Sequence, residues 1–585
     1  MNETSKASAR RRRDPAFCTR YFVGIGIDIG GGQDSLAKQI AHFPSMHSVR
    51  TWDLIDGDAH YLTGVDKDSV DFVYSSHCLE HMREPLVALN NWLRILKPGG
   101  FLIVTVPDED MYEQGVWPSR YNPDHKWSFT LYNKVASLPR SINVLDLVQA
   151  FGDEVECERL SQIKEHYQEG LAGVDQTMGN AECSIEFVWR KKHLQPTQLV
   201  QLAITYESQG QELKALEKYV QAIQSDSQLF DAYNQLTNLL ARLGRWDEAM
   251  LVWNECLRSL PDLHASHLFR ALFLISCGRF DEGFKLRDPL VPDARRTPTD
   301  LPTRYPRWQG ESLKGRSIVI WTEFGYGDEI MFARFASVLK KKCGAKYVAI
   351  VCQKALFPLF KTLPDVDLVV SDDAINTLPA QDYWVFPHSI PVHYSLEKNG
   401  VPTELPYLRP DSKKVAWAAS WLPKKSPTRL RVGFVWQGSS THENDRLRSV
   451  FDLRIFEELF RLPGIDWVSL QKGEGELELN QLAQQNTSIT CGGNQLVDFS
   501  DTAAVCIQLD LIICVDTSVT HLAGALGVPV WLMLPTYTDW RWGPNQSKTV
   551  WYPSMQIFRQ STTTNWTPVV KGIQNALCEK LQSLS

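Results

Sequence analysis

Across 585 residues there are only 12 cysteines, and no two of them form a Cys-x-x-Cys pair. A zinc ribbon is thereby excluded, no disulfide framework is indicated, and a reducing compartment suits the chain. No apolar run reaches the roughly 18 residues that a membrane helix needs, and no low-complexity tract argues for disorder. Neither charge dominates: 61 Lys and Arg stand against 68 Asp and Glu, net −7. A broad polyphosphate-binding surface is therefore not the organising feature, and nucleic acid is a poor candidate partner. The one targeting-like run is Arg10 to Arg13, and the apolar stretch after it breaks into Gly30, Gly31 and Gly32. It reads as a disordered, solvated basic arm over residues 1–19 of a cytoplasmic protein, compatible with peripheral attachment to the inner face of a membrane.

What is present is globular: 43% hydrophobic and 22% charged residues, in a chain long enough for about four domains of roughly 150 residues each. Short β-rich runs (Phe22 to Ile29, Val70 to Tyr74, Phe101 to Val106) alternate with helical patterns up to about residue 190. That order predicts a parallel sheet with crossover helices. The alternating stretch Cys183 to Trp189 suits a closing edge strand.

The middle of the chain repeats. Gly210, Gly244 and Gly278 lie 34 residues apart, and the same offset relates Ala215 to Ala249, Tyr219 to Trp253 and Ala222 to Cys256. A small residue where two helices cross, an aromatic against the next helix and a turn glycine on this period resemble the tetratricopeptide repeat, over residues 194–287. A proline-rich linker follows over 288–314. Then βα alternation resumes in two Rossmann-like halves, 315–415 and 428–585, the second closing on an amphipathic segment from Trp566 to Leu581.

In the first region, Gly26 to Gly32 is a strand running into a glycine turn, where a missing side chain lets backbone approach a ligand. Ser35 stands where a dinucleotide fingerprint wants its third glycine, which weakens a NAD reading. Asp53 lies about 20 residues past the turn, suited to ribose hydroxyls, and Asp58-Ala59 suits an adenine amino group. With Asp71-Phe72-Val73, Leu79-Glu80-His81 and Leu96-Lys97-Pro98-Gly99-Gly100, the order resembles the class I S-adenosylmethionine-dependent methyltransferases over residues 20–192. The resemblance implies that Asp28, Gly30 and Gly32 form the methionine-side loop, Asp53 the ribose acid, and Asp58 and Ala59 the adenine contact. Two departures stand out: Asp34 replaces a later loop glycine, and the interval from Gly32 to Asp58 is short, as if one helix were trimmed. His125 is the candidate general base, with His77 second; fixing a loop is the plainer role for His125. No Asn/Asp-Pro-Pro-Tyr/Phe motif is present, which argues against methylation of nucleobase amino groups.

The last region carries Glu323 to Asp328 after a strand, with Gly325 and Gly327 at the strand's carboxyl end. Asp510 to Asp516 reads as a buried strand, after which Thr517 and Ser518 open a helix containing His521. A helix N-terminus with hydroxyls is an anion site suited to a diphosphate, and Arg446, Arg448 and Lys472 lie in loops where they could neutralise it. These blocks, with Val435 to Gly438, Asp445 to Ser449, Ser469 to Gly473 and Asp539 to Trp542, resemble glycosyltransferase family 9, the heptosyltransferase group, over residues 306–562. The resemblance implies a two-domain GT-B fold and inverting, metal-independent chemistry. It also implies Asp328 as the base that deprotonates the acceptor, Thr517, Ser518 and His521 on the donor diphosphate, and Asp516 near the donor sugar. Ser518 replaces a common glycine, so the donor need not be ADP-heptose.

The expectation is a multidomain α/β enzyme that joins S-adenosyl-L-methionine-dependent methylation to transfer from a nucleotide-diphosphate sugar. Its acceptor would be a bacterial surface glycan or glycoprotein, and no residue is assigned to a metal. Two alternatives stay open. One is a protein O-glycosyltransferase whose repeats present a polypeptide such as flagellin; the other is a non-catalytic scaffold whose repeats bind a partner.

Overall fold

A computed structural model describes residues 3–132, 138–171, 173–297, 299–442, 444–473, 475–476, 478–479, 489–536, 539–561 and 565–583. The chain divides into two compact units, residues 1–198 and 199–585.

The first unit is built on a six-stranded sheet in the order β2-β1-β3-β4-β8-β7. Its strands are β1 (Gly24–Ile29), β2 (Met46–Trp52), β3 (Val70–Ser76), β4 (Leu96–Pro107), β7 (Val155–Ile163) and β8 (Ser184–Lys191). A small parallel pair, β5 (Ser128–Thr130) and β6 (Ser141–Asn143), stands beside it. Pairs among β1 to β4 are parallel, as the alternating pattern predicts, whereas β8 runs antiparallel between β4 and β7. The stretch expected at the edge is therefore interior. Ile185, Phe187 and Trp189 face one core cluster and Val188 another, so its alternation distributes apolar side chains to two cores rather than one core and solvent. Between β1 and β2 the chain makes two 3-10 segments, Gly32–Asp34 and Leu36–His42, and no α-helix, which agrees with the trimmed interval.

The segment expected to be a disordered basic arm is folded. Glu3–Arg11 forms helix α1 and Pro15–Tyr21 helix α2. Arg11 is 1% exposed and donates to Glu186 on β8, while Arg10 donates to Glu182 (3.2 Å) and Glu186 (2.9 Å). Burial alone would push Glu186 up, but Arg11 and Arg10 hold its carboxyl down at about 2. Two of the four arginines are thus counter-ions to a buried acid, not surface charge.

The second unit opens with six helices: α5 (Pro196–Ser208), α6 (Glu212–Ser225), α7 (Phe230–Arg242), α8 (Trp246–Ser259), α9 (His264–Ser276) and α10 (Phe280–Arg287). The first unit also holds α3 (Pro85–Ile95) and α4 (Val144–Phe151). First and second helices of the three hairpins each recur every 34 residues, and Gly210, Gly244 and Gly278 close the first helices at φ +71°, +73° and +82°. At that angle a side chain would be strained. Ala215 and Ala249 are fully buried, and at the same place in the third hairpin a Cβ on Gly283 would fall 2.6 Å from Ile275 Cγ1.

The proline-rich stretch expected to be a linker is folded. Its helix α11 (Asp293–Arg296) buries Arg296, which donates to Asp288 Oδ1 (2.9 Å), Val291 O (3.0 Å) and Ser389 Oγ (3.1 Å). Two parallel sheets follow. The first has the order β11-β10-β9-β12, with β9 (Ser317–Ile320), β10 (Tyr347–Cys352), β11 (Leu368–Ser371) and β12 (Tyr383–Val385). The second has the order β15-β14-β13-β16-β17-β18, with β13 (Leu430–Val435), β14 (Ile465–Ser469), β15 (Ile489–Cys491), β16 (Leu511–Val515), β17 (Val530–Leu534) and β18 (Met555–Arg559). The helix Thr567–Gln582 closes that half by burying Val569, Val570, Ile573 and Leu577. Among the described residues no helix is long and apolar enough to cross a membrane.

Candidate functional site

Each unit gathers polar groups at the carboxyl ends of its parallel strands, where open α/β sheets receive ligands. In the first unit β1 delivers Asp28 and then the glycine turn. Gly30 has φ +78°, and a Cβ there would lie 2.7 Å from Cys78 Sγ; one on Gly31 would lie 2.2 Å from Asp28 Oδ2. Only glycine lets the turn lie this close to its neighbours. Asp28 is fully buried and supports the turn from beneath: Leu36 N donates to its Oδ2 at 2.6 Å, and its Oδ1 has no partner. Burial outweighs the Leu36 bond and pushes Asp28 up to about 7.

Asp53, just beyond β2, is brought to the same turn, its Oδ2 3.3 Å from where a Cβ of Gly32 would be. Leu54 and Ile55 beside it are 93% and 96% exposed, an apolar pair that the motif reading did not pick out. Asp58 is already engaged: His60 N donates to it (2.9 Å), His60 Nδ1 lies 2.7 Å away, and Arg83 Nη2 donates at 3.3 Å. The Ala59 carbonyl accepts from Trp92 Nε1 (2.9 Å). These two residues therefore brace the loop after β2.

The two histidine candidates meet around an acid that the sequence reading treated only as part of a motif. Glu80 is fully buried, with His77 Nδ1 3.6 Å away and the Nε2 atoms of His81 and His125 each 4.0 Å away. His125 Nδ1 is held by Glu113 at 2.7 Å. With one ring nitrogen on Glu113 and the other turned toward Glu80, His125 does not present a nitrogen to an outside acceptor. The close spacing His77-x-x-Glu80-His81 was the available signal.

In the second unit, helix α12 (Tyr326–Phe332) starts directly after the glycine turn that follows β9, and Gly325 N donates to Asp328 Oδ2 (3.3 Å). Asp328 Oδ1 accepts from Arg541 and lies 3.4 Å from His388 Nε2. Burial would raise its pKa, but Arg541 and His388 override that and hold Asp328 far below the usual carboxylate range. His388 is itself oriented by Glu323, whose Oε2 lies 2.9 Å from both the backbone N and Nδ1 of His388. Neither His388 nor Arg541 was singled out from sequence, because both arrive from other parts of the chain.

Opposite α12 lies the helix Ser518–Ala525, which follows β16 and has Thr517 at its N-cap position without a side-chain capping bond. The two helices touch through glycine: a Cβ on Gly327 would lie 2.8 Å from His521 Cδ2. His521 bonds through Nδ1 to Tyr552 OH (3.0 Å) and stacks on Trp542 at 5.2 Å. Burial, reinforced by Arg541, pushes it down to about 3. These surroundings favour the neutral imidazole. Burial and the neighbouring Asp539 push Asp516 up to about 6. Thr517 Oγ1 is buried and without a hydrogen-bond partner.

A cleft of ≈ 1330 Å³ runs between the halves and gathers Asp328, Arg448, Lys472, Asp516, Thr517, Ser518, His521 and Arg541. Gly438 makes room for Arg448, whose Nη2 would be 2.7 Å from a Cβ there. The Lys472 ammonium donates to the Leu496 carbonyl. Arg446 is the exception. It is exposed and lines a separate groove of ≈ 890 Å³ with Ile204, Arg242, Phe451 and Trp566, because one turn of helix, Asp445–Arg448, points it away from Arg448.

Residues 16–104 match the methyltransferase domain family, so the first unit carries a methyltransferase domain. Among curated proteins, Protein FlbA of Caulobacter vibrioides is 26% identical over 371 residues, 59% of this chain and 61% of FlbA. The chain thus spans less than two thirds of the length of that relative. Among solved structures, the glycosyl transferase family 9 protein of Veillonella parvula matches at 14% identity and TM-score 0.36, over 47% of this chain and 98% of that one. The ADP-heptose lps heptosyltransferase II of E. coli matches at 12% identity and TM-score 0.35, over 46% and 99%.

Proposed function

We propose that the chain is a two-site transferase that modifies glycans: an S-adenosylmethionine-dependent methyltransferase in its first unit and an inverting glycosyltransferase of GT-B type in its second. The observation that carries the second activity is the pairing, across one cleft, of an ionised Asp328 with a helix N-terminus bearing an unpartnered Thr517 hydroxyl. A nucleotide-diphosphate sugar would set its diphosphate on the N–H groups of that helix, with Arg448 and Lys472 balancing its charge. Asp328 would accept the proton of the acceptor hydroxyl as its oxygen bonds to the anomeric carbon and the diphosphate leaves. Arg541 governs that step. While it pairs with Asp328 the carboxylate is a weak base; a diphosphate competes for the same guanidinium and returns proton affinity to Asp328. In the first unit, Asp53 and the Gly30–Gly32 turn would receive the ribose and methionine parts of the cofactor. The three 34-residue hairpins are read as tetratricopeptide repeats.

The test is Asp328→Asn in the full chain, assayed for nucleoside diphosphate release and for donor binding by calorimetry. Turnover should fall about 10²–10⁴-fold while donor affinity changes little. Unchanged turnover would sink the assignment.

A second reading, transfer to a polypeptide, is favoured by the ≈ 890 Å³ groove, whose wall comes partly from α5 and α7 through Ile204, Gln235 and Asn238. Asn238→Ala with Gln235→Ala should then weaken activity on protein acceptors and spare small sugar acceptors. Equal effects on both would remove this reading.

A further inference from the structure

We propose that Glu80, His81 and His125, with His77 beside them, form a binding site for one divalent first-row transition-metal ion in the first unit. One ligand atom from each of Glu80, His81 and His125 lies within 4.8 Å of the others. The Nδ1 of His77 approaches Glu80 Oε1 to 3.6 Å from a further side. Metal–ligand bonds of about 2.0–2.2 Å place neighbouring donor atoms roughly 3–4 Å apart, so the cluster closes around an ion with small side-chain shifts.

Three independent features point to a cation. The first is electrostatic. Glu80 is fully buried, and neither carboxylate oxygen has a hydrogen-bond partner. Three imidazoles, 3.6–4.0 Å away, face this carboxylate without hydrogen-bonding to it, and a bound cation would pair with it directly. The second is the orientation of the imidazoles. Each ring places one nitrogen on a protein group and turns the other inward: His125 Nδ1 on Glu113 (2.7 Å), His81 Nδ1 on Asp124 (3.1 Å) and His77 Nε2 on Ser184 Oγ (3.1 Å). Outer partners of this kind fix the tautomer and raise the basicity of metal-binding histidines. The third is rigidity. The Glu80 carbonyl accepts from Lys126 N (2.8 Å) and Trp127 N (3.1 Å), and Lys126 Nζ donates to the His81 carbonyl (2.7 Å). The loop bearing His125 is thereby pinned beside Glu80 before any ion arrives.

The donor set of imidazoles and one carboxylate selects Zn²⁺, Co²⁺ or Fe²⁺ over Mg²⁺ or Ca²⁺, which prefer all-oxygen shells. The site also adjoins the glycine turn, since Gly30 packs against Cys78, between His77 and Glu80.

The experiment uses the untagged full chain, stripped with a chelator, then loaded with Zn²⁺ or Co²⁺ by equilibrium dialysis and read by elemental analysis and by the visible Co²⁺ spectrum. One equivalent should bind, with a d–d band that Zn²⁺ abolishes. His81→Ala and His125→Ala should each weaken binding at least about 100-fold, whereas His47→Ala, an exposed histidine, should not. Circular dichroism checks the fold of each variant. Should a ligand variant fail to fold, Glu113→Gln removes only the group that orients His125 and should cost about 10–100-fold in affinity. No stoichiometric uptake at about 100 μM metal, or uptake equal in wild type and both histidine variants, would overturn the proposal. The readout is metal content, so it stands apart from whether methyl transfer is detected.

Discussion

Asp28 and Asp328 occupy comparable places: each is an acid beside a glycine turn at the carboxyl edge of a parallel sheet, Asp28 fully buried and the Asp328 side chain 18% exposed. Their ionisation is nevertheless driven in opposite directions. Asp28 has one backbone N–H and no cation, and burial pushes it up to about 7. Asp328 is also partly desolvated but is paired with Arg541 and faced by His388, which hold it far below the usual range. Location on the fold therefore does not set the charge of a site acid; the partner brought in from elsewhere does. Asp328 is kept ionised in one unit, while a turn is held by a group poised to be neutral in the other.

The largest effect should come from removing the cation that separates the two. Arg541→Met leaves Asp328 and Asp539 without their shared guanidinium, and for this partly buried pair the cost should approach, without exceeding, the about 3–5 kcal/mol of a fully buried one. Calorimetric unfolding of the full chain should show the transition of the second unit lowered and that of the first unchanged. A shift in both, or in neither, would mean that Arg541 is not what holds Asp328.

The converse change is Asp28→Asn. The folded pKa of Asp28 lies above its unfolded value, so its contribution favours the fold below about pH 4 and is lost as pH rises to about 7. A shift of roughly three units corresponds to at most about 4 kcal/mol. The Asn variant, which can still accept from Leu36 N, should melt higher than wild type at pH 8 and match it near pH 4. If the two melting curves stay parallel across that range, Asp28 does not titrate as its surroundings require.

Contact between the halves gives a smaller effect. Gly327→Ala places a methyl 2.8 Å from His521 Cδ2, and that ring cannot yield easily because it is stacked on Trp542 and bonded to Tyr552. Overpacking of this kind costs about 1–3 kcal/mol. It should appear as lower kcat for sugar transfer, since the methyl would part α12 from the donor helix, with little change in S-adenosylmethionine binding.

These differences also explain what the sequence could and could not reveal. The 34-residue spacing of Gly210, Gly244 and Gly278 was legible because each glycine answers to a local turn. The turn at Gly30 and the acid at Asp53 were legible because both lie at strand ends set by short-range pattern. The fold of α1 was not, since Arg11 is ordered by Glu186, 175 residues away. The same holds at the cleft. Asp328 was legible from its own loop, but Arg541 arrives from 213 residues on and His388 from after β12. The antiparallel insertion of β8 is likewise a tertiary outcome, because alternation alone does not distinguish solvent from a second core.

The smallest effect separates two arginines that the sequence treats alike. Arg446 and Arg448 are two residues apart, and both were expected near the donor diphosphate. On a turn of helix a separation of two turns the side chains to different faces. Arg448 reaches the cleft across Gly438, and Arg446 lines the other groove with Arg242 and Phe451. Arg448→Ala should therefore raise the donor KM about 10-fold, the loss of one charge-assisted bond to phosphate. Arg446→Ala should leave the donor KM within about twofold, as surface substitutions away from a site generally do. A comparable rise in both variants would mean that the diphosphate lies across the mouth of the cleft rather than on the helix opened by Thr517, and the base assigned to Asp328 would then be too deep to reach the sugar it serves.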